Sequence, residues 1–235
     1  MPEPTRFTRR SDLGWPSESP ASDADPKNGL VIHYDSNDQN LANRPHSACV
    51  DYWNSVRDYH VNTNGWDDLG YSFLACAHGY VVEGRGTFKE QAAQRGDNDT
   101  YYSCSLANGP TDPITGDQIE AVRELRAWLM EPETSIAGTV VGHRDLSATA
   151  CPGDTAYALV QDDVFAQPPT GSNPEGDEMP TYVSINKSDD APAEGIERGE
   201  WSQIHFDANI SNGSDNHHTS DDPTSLLRGP CDYSG

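Results

Sequence analysis

Two histidines and one cysteine are the residues of this chain best suited to chemistry. His33 lies in the segment VIHYD, His143 in GHRD, and Cys151 in TACPG. Two imidazoles and one thiolate are ligands that Zn²⁺ favours, and three protein ligands leave the fourth tetrahedral position for water. Such a set is typical of a catalytic zinc site rather than a structural one. We therefore predict one catalytic Zn²⁺ per chain.

Two apolar, β-rich segments are expected to position the histidines. GLVIH and SIAGTVVGH predict buried strands, so both imidazoles should emerge at strand ends. Cys151 follows on the polar loop RDLSATA, and Pro152-Gly153 should stop this loop and start a helix. A loop of this length can fold back to the strand end and bring the thiol to the imidazoles.

The remaining pattern predicts an α/β fold in which helices flank a mixed central β-sheet. Apolar residues recur at helical spacing in 46–60 and 117–130, and DTAYALVQDDVF predicts a final helix. YSFLACA and YVVEGR predict a hairpin, and YYSCSLA another strand. The zinc is expected at one end of these strands.

The segment from about Arg10 to Phe165 resembles the zinc-dependent type-2 N-acetylmuramoyl-L-alanine amidases, a family that includes the peptidoglycan recognition proteins. The matching motifs stand in the family's order: LGWP, VIHYD, GWDDLGYSFL, VVEGRG, DQIEAVRELRAWL and GHRDLSATACPG. The resemblance implies the type-2 amidase fold. It also implies cleavage of the amide bond between N-acetylmuramic acid and L-alanine in bacterial peptidoglycan.

By the same resemblance, His33, His143 and Cys151 are the zinc ligands, Tyr71 is the catalytic tyrosine, and Thr149 faces the substrate carbonyl. Zinc lowers the pKa of a bound water to about 7 and polarises a carbonyl, while a phenol and a hydroxyl donate to the developing oxyanion. Two alternatives stay open. The alternative for Tyr71 is a buried structural role, and the alternative for Thr149 is that it only shapes its loop.

Two aspartates and one polar loop are further candidates. Asp35 and Asp145 stand two residues after the histidines, where they either orient the imidazoles or cap the loops. After EGRG many relatives carry a histidine, whereas alanine stands here, at position 92 or 93. Arg85, Asn98 and Asp99 are then the candidate residues of the substrate groove. The alternative is that they belong to an ordinary polar loop without a role in substrate binding.

Composition restricts the partners. The net charge of −23 and the isoelectric point of about 4.4 disfavour nucleic-acid binding, which needs a basic patch. The sequence contains no basic amphipathic segment of the kind that binds a membrane surface. No segment approaches the ~20 apolar residues that span a bilayer. The first residues contain no apolar run like a signal-peptide core, so we expect the protein in the cytoplasm of the cell that makes it. For a phage enzyme, this is the host cytoplasm before lysis.

Most of the cysteines and histidines outside the predicted centre have no predicted role in chemistry. Cys49, Cys76, Cys104 and Cys231 fall in separate elements and need not pair, and Cys76 and Cys104 are predicted to act as small buried hydrophobes. Four of the other histidines are predicted to be surface or structural residues: His46, His60, His78 and His205.

Two domains joined by a linker are predicted. Residues 1–165 form the zinc amidase domain, 166–180 a Pro- and Gly-rich linker, and 181–235 a small, incomplete β-rich module that binds cell wall or oligomerises. An enzyme of this kind, made without a signal, most resembles a phage endolysin that lyses the host. A peptidoglycan-binding module without activity and a virion-associated wall-degrading protein are the alternatives.

Overall fold

The computed structural model describes residues 3–170, and here six strands form one sheet in the order β1-β4-β3-β5-β2-β6. β3 and β4 pair antiparallel as a hairpin, whereas the other neighbouring strands are parallel. This arrangement confirms the predicted α/β fold with a mixed central sheet. The strands are β1 (Phe7–Thr8), β2 (Leu30–His33), β3 (Phe73–Ala75), β4 (Val81–Glu83), β5 (Tyr102–Ser105) and β6 (Val140–Gly142).

Four α-helices accompany the sheet in the described part of the chain. They are α1 (His46–Asp58), α2 (Gly116–Leu129), α3 (His143–Leu146) and α4 (Asp154–Gln161). At the start of α2 the Thr115 hydroxyl accepts a hydrogen bond from the Gln118 N–H at 3.1 Å, which satisfies a free helix donor. The Gln118 side chain donates to the carbonyls of Ala75 and Leu106, so hydrogen bonds join α2 to the sheet.

The two faces of the sheet carry separate cores. On one face Ile32 and Phe73 pack with α2 and α4, and on the other Leu74 packs with Trp53 of α1. Because successive side chains of a strand point to opposite faces, His33 is directed towards the α1 face. The end of β2 therefore delivers an imidazole beside a dry apolar cluster.

A buried carboxylate fastens the N-terminal segment to the domain. Asp68 is fully buried, and its oxygens lie 2.8 Å from Arg10 Nη2 and 2.6 Å from Arg57 Nε. The Ser19 hydroxyl and the Leu69 N–H donate to the same carboxylate. Burial alone raises the pKa of Asp68, but these hydrogen bonds and the charge of Arg10 outweigh it and lower the pKa below its usual value.

We expect Asp68→Asn to lower the free energy of unfolding by about 3–5 kcal/mol, because it leaves the Arg10 guanidinium buried without its counter-charge. Urea denaturation at neutral pH measures the loss. Asp67→Asn, at the exposed neighbouring position, is the control and should change stability by less than about 0.5 kcal/mol. Equal stability of the two variants would contradict this role for Asp68.

Two residues just past the predicted boundary at residue 165 form hydrogen bonds with α2. The Gln167 side chain accepts a hydrogen bond from Arg123 of α2 at 2.9 Å, and the Thr170 N–H donates to Glu120 at 2.6 Å. The start of the predicted linker thus packs on α2. The rest of that linker and the predicted module at 181–235 lie outside the described residues. Within the described range, no helix has the length and apolarity needed to cross a bilayer.

Candidate metal centre

Strand register brings the two predicted histidine ligands together. β2 and β6 are parallel neighbours with Ile32 opposite Gly142, so the chain reaches His33 and His143 at the same edge of the sheet. Their ring centroids are 4.6 Å apart. His143 opens α3 directly after β6, and the short helix fixes its position.

The loop after α3 returns Cys151 to this edge. Its sulfur lies 3.6 Å from Nδ1 of His33 and accepts a hydrogen bond from the Tyr34 N–H at 3.5 Å. One ligand atom from each of His33, His143 and Cys151 lies within 4.8 Å of the other two, and all three residues are buried. The structure therefore brings together the three predicted ligands.

The protonation pattern of the imidazoles suits a metal ion. His33 Nε2 lies 3.0 Å from the amide oxygen of Gln94, which only accepts, so the proton sits on Nε2 and the Nδ1 lone pair faces Cys151. Neither ring nitrogen of His143 has a hydrogen-bond partner, although both are buried. A buried polar atom without a partner costs about 1–3 kcal/mol, a cost that coordination would remove. This donor set fits Zn²⁺.

Gln94 is a residue that the sequence analysis missed. It lies in the polar segment QAAQRGDND, yet it is fully buried. Its side-chain amide donates to the Asp97 carbonyl, and its backbone N–H donates to the Asn98 side chain at 2.9 Å. The loop thus holds the amide oxygen against His33 and orients the ring, which is the role expected of a group hydrogen-bonded to a metal ligand.

We expect Gln94→Leu to lower zinc affinity by about 10- to 100-fold, because His33 loses the acceptor that fixes its tautomer and ring orientation. Competition with a zinc chelator at constant pH measures the affinity. Gln94→Glu, which keeps an acceptor oxygen, is the matched control and should bind zinc at least as well as Gln94→Leu. If Gln94→Leu kept the wild-type affinity, the ring would be oriented by other contacts.

Tyr71 and Thr149 both lie next to the ligands. The Tyr71 ring centroid is 5.2 Å from that of His33, and the ring is almost fully buried. Hydrogen bonds from Gly84 and Arg85 to the carbonyls of Ser72 and Tyr71 extend the β3–β4 hairpin and hold this position. The Thr149 hydroxyl accepts from the Cys151 N–H at 3.2 Å, so it shapes the cysteine loop and keeps its own proton to donate.

The two candidate aspartates make capping contacts. Asp145 accepts from the Gly142 N–H at 2.8 Å and from the Tyr157 hydroxyl at 2.6 Å, and Asp35 accepts from the Asn37 N–H and the Tyr52 hydroxyl. No hydrogen bond joins Asp145 to His143, because both nitrogens of that ring are without partners. For Asp145 the structure supports the capping alternative.

The three candidate groove residues have different surroundings. Arg85 is buried and donates to the carbonyls of Leu69, Glu90 and Asp68, so its guanidinium supports the backbone and is not offered to a substrate. Asn98 accepts from the Gln94 N–H and supports the loop beside His33. Asp99 is exposed. The groove role of these three residues stays a prediction.

Comparisons with known proteins agree with this geometry. The N-acetylmuramoyl-L-alanine amidase of Sus scrofa is 33% identical over 122 residues, which are 49% of this chain and 20% of that protein. The chain thus spans about a fifth of that relative's length. Peptidoglycan recognition protein 1 of Mus musculus is 32% identical over 62% of this chain and 80% of its own.

The fold also matches that of a solved relative. The structure of Drosophila PGRP-LB has a TM-score of 0.60 and 24% identity, and the match covers 66% of this chain and 92% of that one. The family model Amidase_2, described as N-acetylmuramoyl-L-alanine amidase, matches residues 23–154, which include all three candidate ligands. The chain therefore belongs to the Amidase_2 family.

Proposed function

We propose that this protein is a zinc-dependent N-acetylmuramoyl-L-alanine amidase that hydrolyses bacterial peptidoglycan. The observation that carries the proposal is the buried set of His33, His143 and Cys151, whose ligand atoms face one another. Three protein ligands, rather than four, are what a catalytic zinc site requires. Membership in the Amidase_2 family supports the same substrate class.

The roles of the chain's own residues follow from their contacts. Nδ1 of His33, one nitrogen of His143 and the Cys151 sulfur would hold the ion. When bound, Zn²⁺ would supply Lewis-acid activation of water and of the scissile carbonyl. The Tyr34 N–H donates to the sulfur, and Gln94 keeps the His33 proton on Nε2.

Tyr71 is the residue that we propose as the donor to the reacting carbonyl. Its ring lies against His33, and its hydroxyl would stabilise the negative charge that develops on the carbonyl oxygen. Thr149, next to the ligand loop, would be a second donor. Both groups are rigidly placed, Tyr71 by the hairpin and Trp53, and Thr149 by its bond to Cys151.

End-group analysis of digested cell wall tests this function. An amidase releases stem peptides with a new free amino group on L-alanine and leaves the lactyl carboxylate on the glycan. Activity should disappear after chelation and return on addition of zinc. New reducing sugar ends would indicate a glycosidase instead, and binding to the wall without new ends would indicate a recognition module.

We further propose a role in host lysis as a phage endolysin, on the basis of the resemblance to phage amidases. Production of the protein inside a susceptible bacterium should then cause lysis only when a holin opens the membrane. Detection of the protein in purified virions would favour the virion-associated alternative.

A further inference from the structure

A second group of metal-binding side chains joins α1 to the β3–β4 hairpin. His46 and Cys49 lie in the first turn of α1, and Cys76 and His78 lie in the hairpin turn. One ligand atom from each lies within 4.8 Å of those from the other three. This four-residue cluster shares no residue with the proposed catalytic centre.

Local structure places the four side chains as two converging pairs. His46 and Cys49 are three residues apart on a helix, a spacing that puts both on one face. The hairpin turn is closed by hydrogen bonds from Gly79 N–H to the Cys76 carbonyl and from Cys76 N–H to the Tyr80 carbonyl, at 2.9 and 2.8 Å. The turn therefore presents the second pair to the helix.

The distances approach those of a tetrahedral zinc site. Cys76 Sγ lies 3.2 Å from Nδ1 of His78 and 3.4 Å from Nδ1 of His46, and Cys49 Sγ lies 3.5 Å from Nδ1 of His78. With usual zinc–ligand lengths, tetrahedral geometry separates sulfur from nitrogen by about 3.6 Å. The two sulfurs lie 2.7 Å apart, and an ion would separate them to about 3.8 Å.

The surroundings favour a bound ion over four independent side chains. Both sulfurs are buried, and Cys76 Sγ also accepts from the His78 N–H at 3.5 Å, as thiolate ligands commonly do. The His46 ring stacks on Tyr80 with centroids 3.6 Å apart, which fixes its direction. Cys76, predicted to be a small buried hydrophobe, thus also contacts His46 and His78, which were predicted to be surface or structural residues.

We propose that His46, Cys49, Cys76 and His78 bind a second Zn²⁺ with a structural role. Four protein ligands leave no position for water, which is the pattern of a structural site. The ion would clasp the start of α1 to the hairpin. A disulfide between Cys49 and Cys76 is the competing arrangement, but it would give the two histidines no function.

Zinc content of the full-length protein, prepared under reducing conditions and dialysed to remove loose metal, tests the proposal. We expect two zinc ions per wild-type chain by elemental analysis, and one in Cys151→Ser, which disables the proposed catalytic centre. Adding Cys49→Ala to Cys151→Ser should remove the remaining ion. Adding Cys104→Ala instead deletes a buried cysteine outside both groups, and the ion should stay.

Cobalt replacement identifies the ligands. The Cys151→Ser chain loaded with Co²⁺ should show tetrahedral d–d bands and thiolate-to-cobalt charge transfer, both lost in Cys151→Ser/Cys49→Ala. Adding His78→Asn, at a half-buried site that tolerates an amide, should weaken Co²⁺ binding at least about 10-fold without unfolding the chain. No ion in the Cys151→Ser chain, or a Cys49–Cys76 disulfide found by thiol counting, would overturn the proposal.

Discussion

Cys151→Ser is expected to abolish amidase activity and to lower the zinc content by one ion per chain. A serine hydroxyl stays protonated at neutral pH, so the substitution removes the only anionic ligand of the proposed centre. Two neutral imidazoles bind zinc far more weakly than the full set. Elemental analysis and wall digestion, performed on the same preparation, measure both effects.

Cys104→Ala is the matched control for this loss. Cys104 is also a buried cysteine, but it lies in the apolar core between β2 and β3 and burial raises the pKa of its thiol to about 12, so it stays protonated. The control should keep its zinc and its activity, with a loss of stability only. Full activity in a Cys151→Ser preparation that holds one zinc ion fewer than the wild type would refute the proposed mechanism.

Tyr71→Phe is expected to lower kcat by roughly 10²- to 10³-fold while KM and zinc content stay unchanged. The substitution removes the hydroxyl but keeps the ring that packs against His33 and Trp53. A group that donates only to the developing oxyanion contributes to the transition state and not to substrate binding. Steady-state kinetics on a soluble muramyl peptide separates kcat from KM.

Tyr157→Phe is the control for loss of a phenol. Its hydroxyl donates to Asp145 of α3 in an exposed hydrogen bond, so the variant should lose little stability and keep its turnover. Wild-type kcat in Tyr71→Phe would return Tyr71 to the structural alternative and leave Thr149 as the main candidate donor.

The sequence allowed the prediction that His33, His143 and Cys151 lie together, because strong local signals mark the segments that carry them. β2 is an apolar run that ends at His33, β6 ends just before His143, and adjacent parallel strands deliver their ends to one edge. Pro152-Gly153 correctly marked the start of α4. These features depend on periodicity and turn chemistry, which are visible in one segment at a time.

Contacts between distant segments were not predictable in this way. Gln94 reaches His33 across 61 residues, and nothing in its polar segment indicates that it is buried. Arg85 is buried for a similar reason, because it supplies donors to backbone carbonyls that tertiary packing removes from water. The role of Asp145 was ambiguous because the same carboxylate can cap a helix or orient an imidazole. In the structure it accepts a hydrogen bond from the Gly142 N–H.

The sequence did not indicate the four-residue cluster, because its two pairs lie in separate segments of the chain. His46 and Cys49 fit a helix face, and Cys76 and His78 fit a hairpin, so each pair has an ordinary structural explanation. Only the packing of α1 against the hairpin reveals that they face one another.

The proposed catalytic ligands come from distant parts of the chain, so zinc binding would be coupled to folding. His33 and Cys151 are 118 residues apart in the chain, so an unfolded chain does not hold them together and zinc would bind the native state selectively. By mass action, each tenfold rise in free zinc above the dissociation constant then adds about 1.4 kcal/mol to the free energy of unfolding. The protein would therefore be most resistant to unfolding and proteolysis where zinc is plentiful, and its lifetime would depend on the zinc available in its surroundings.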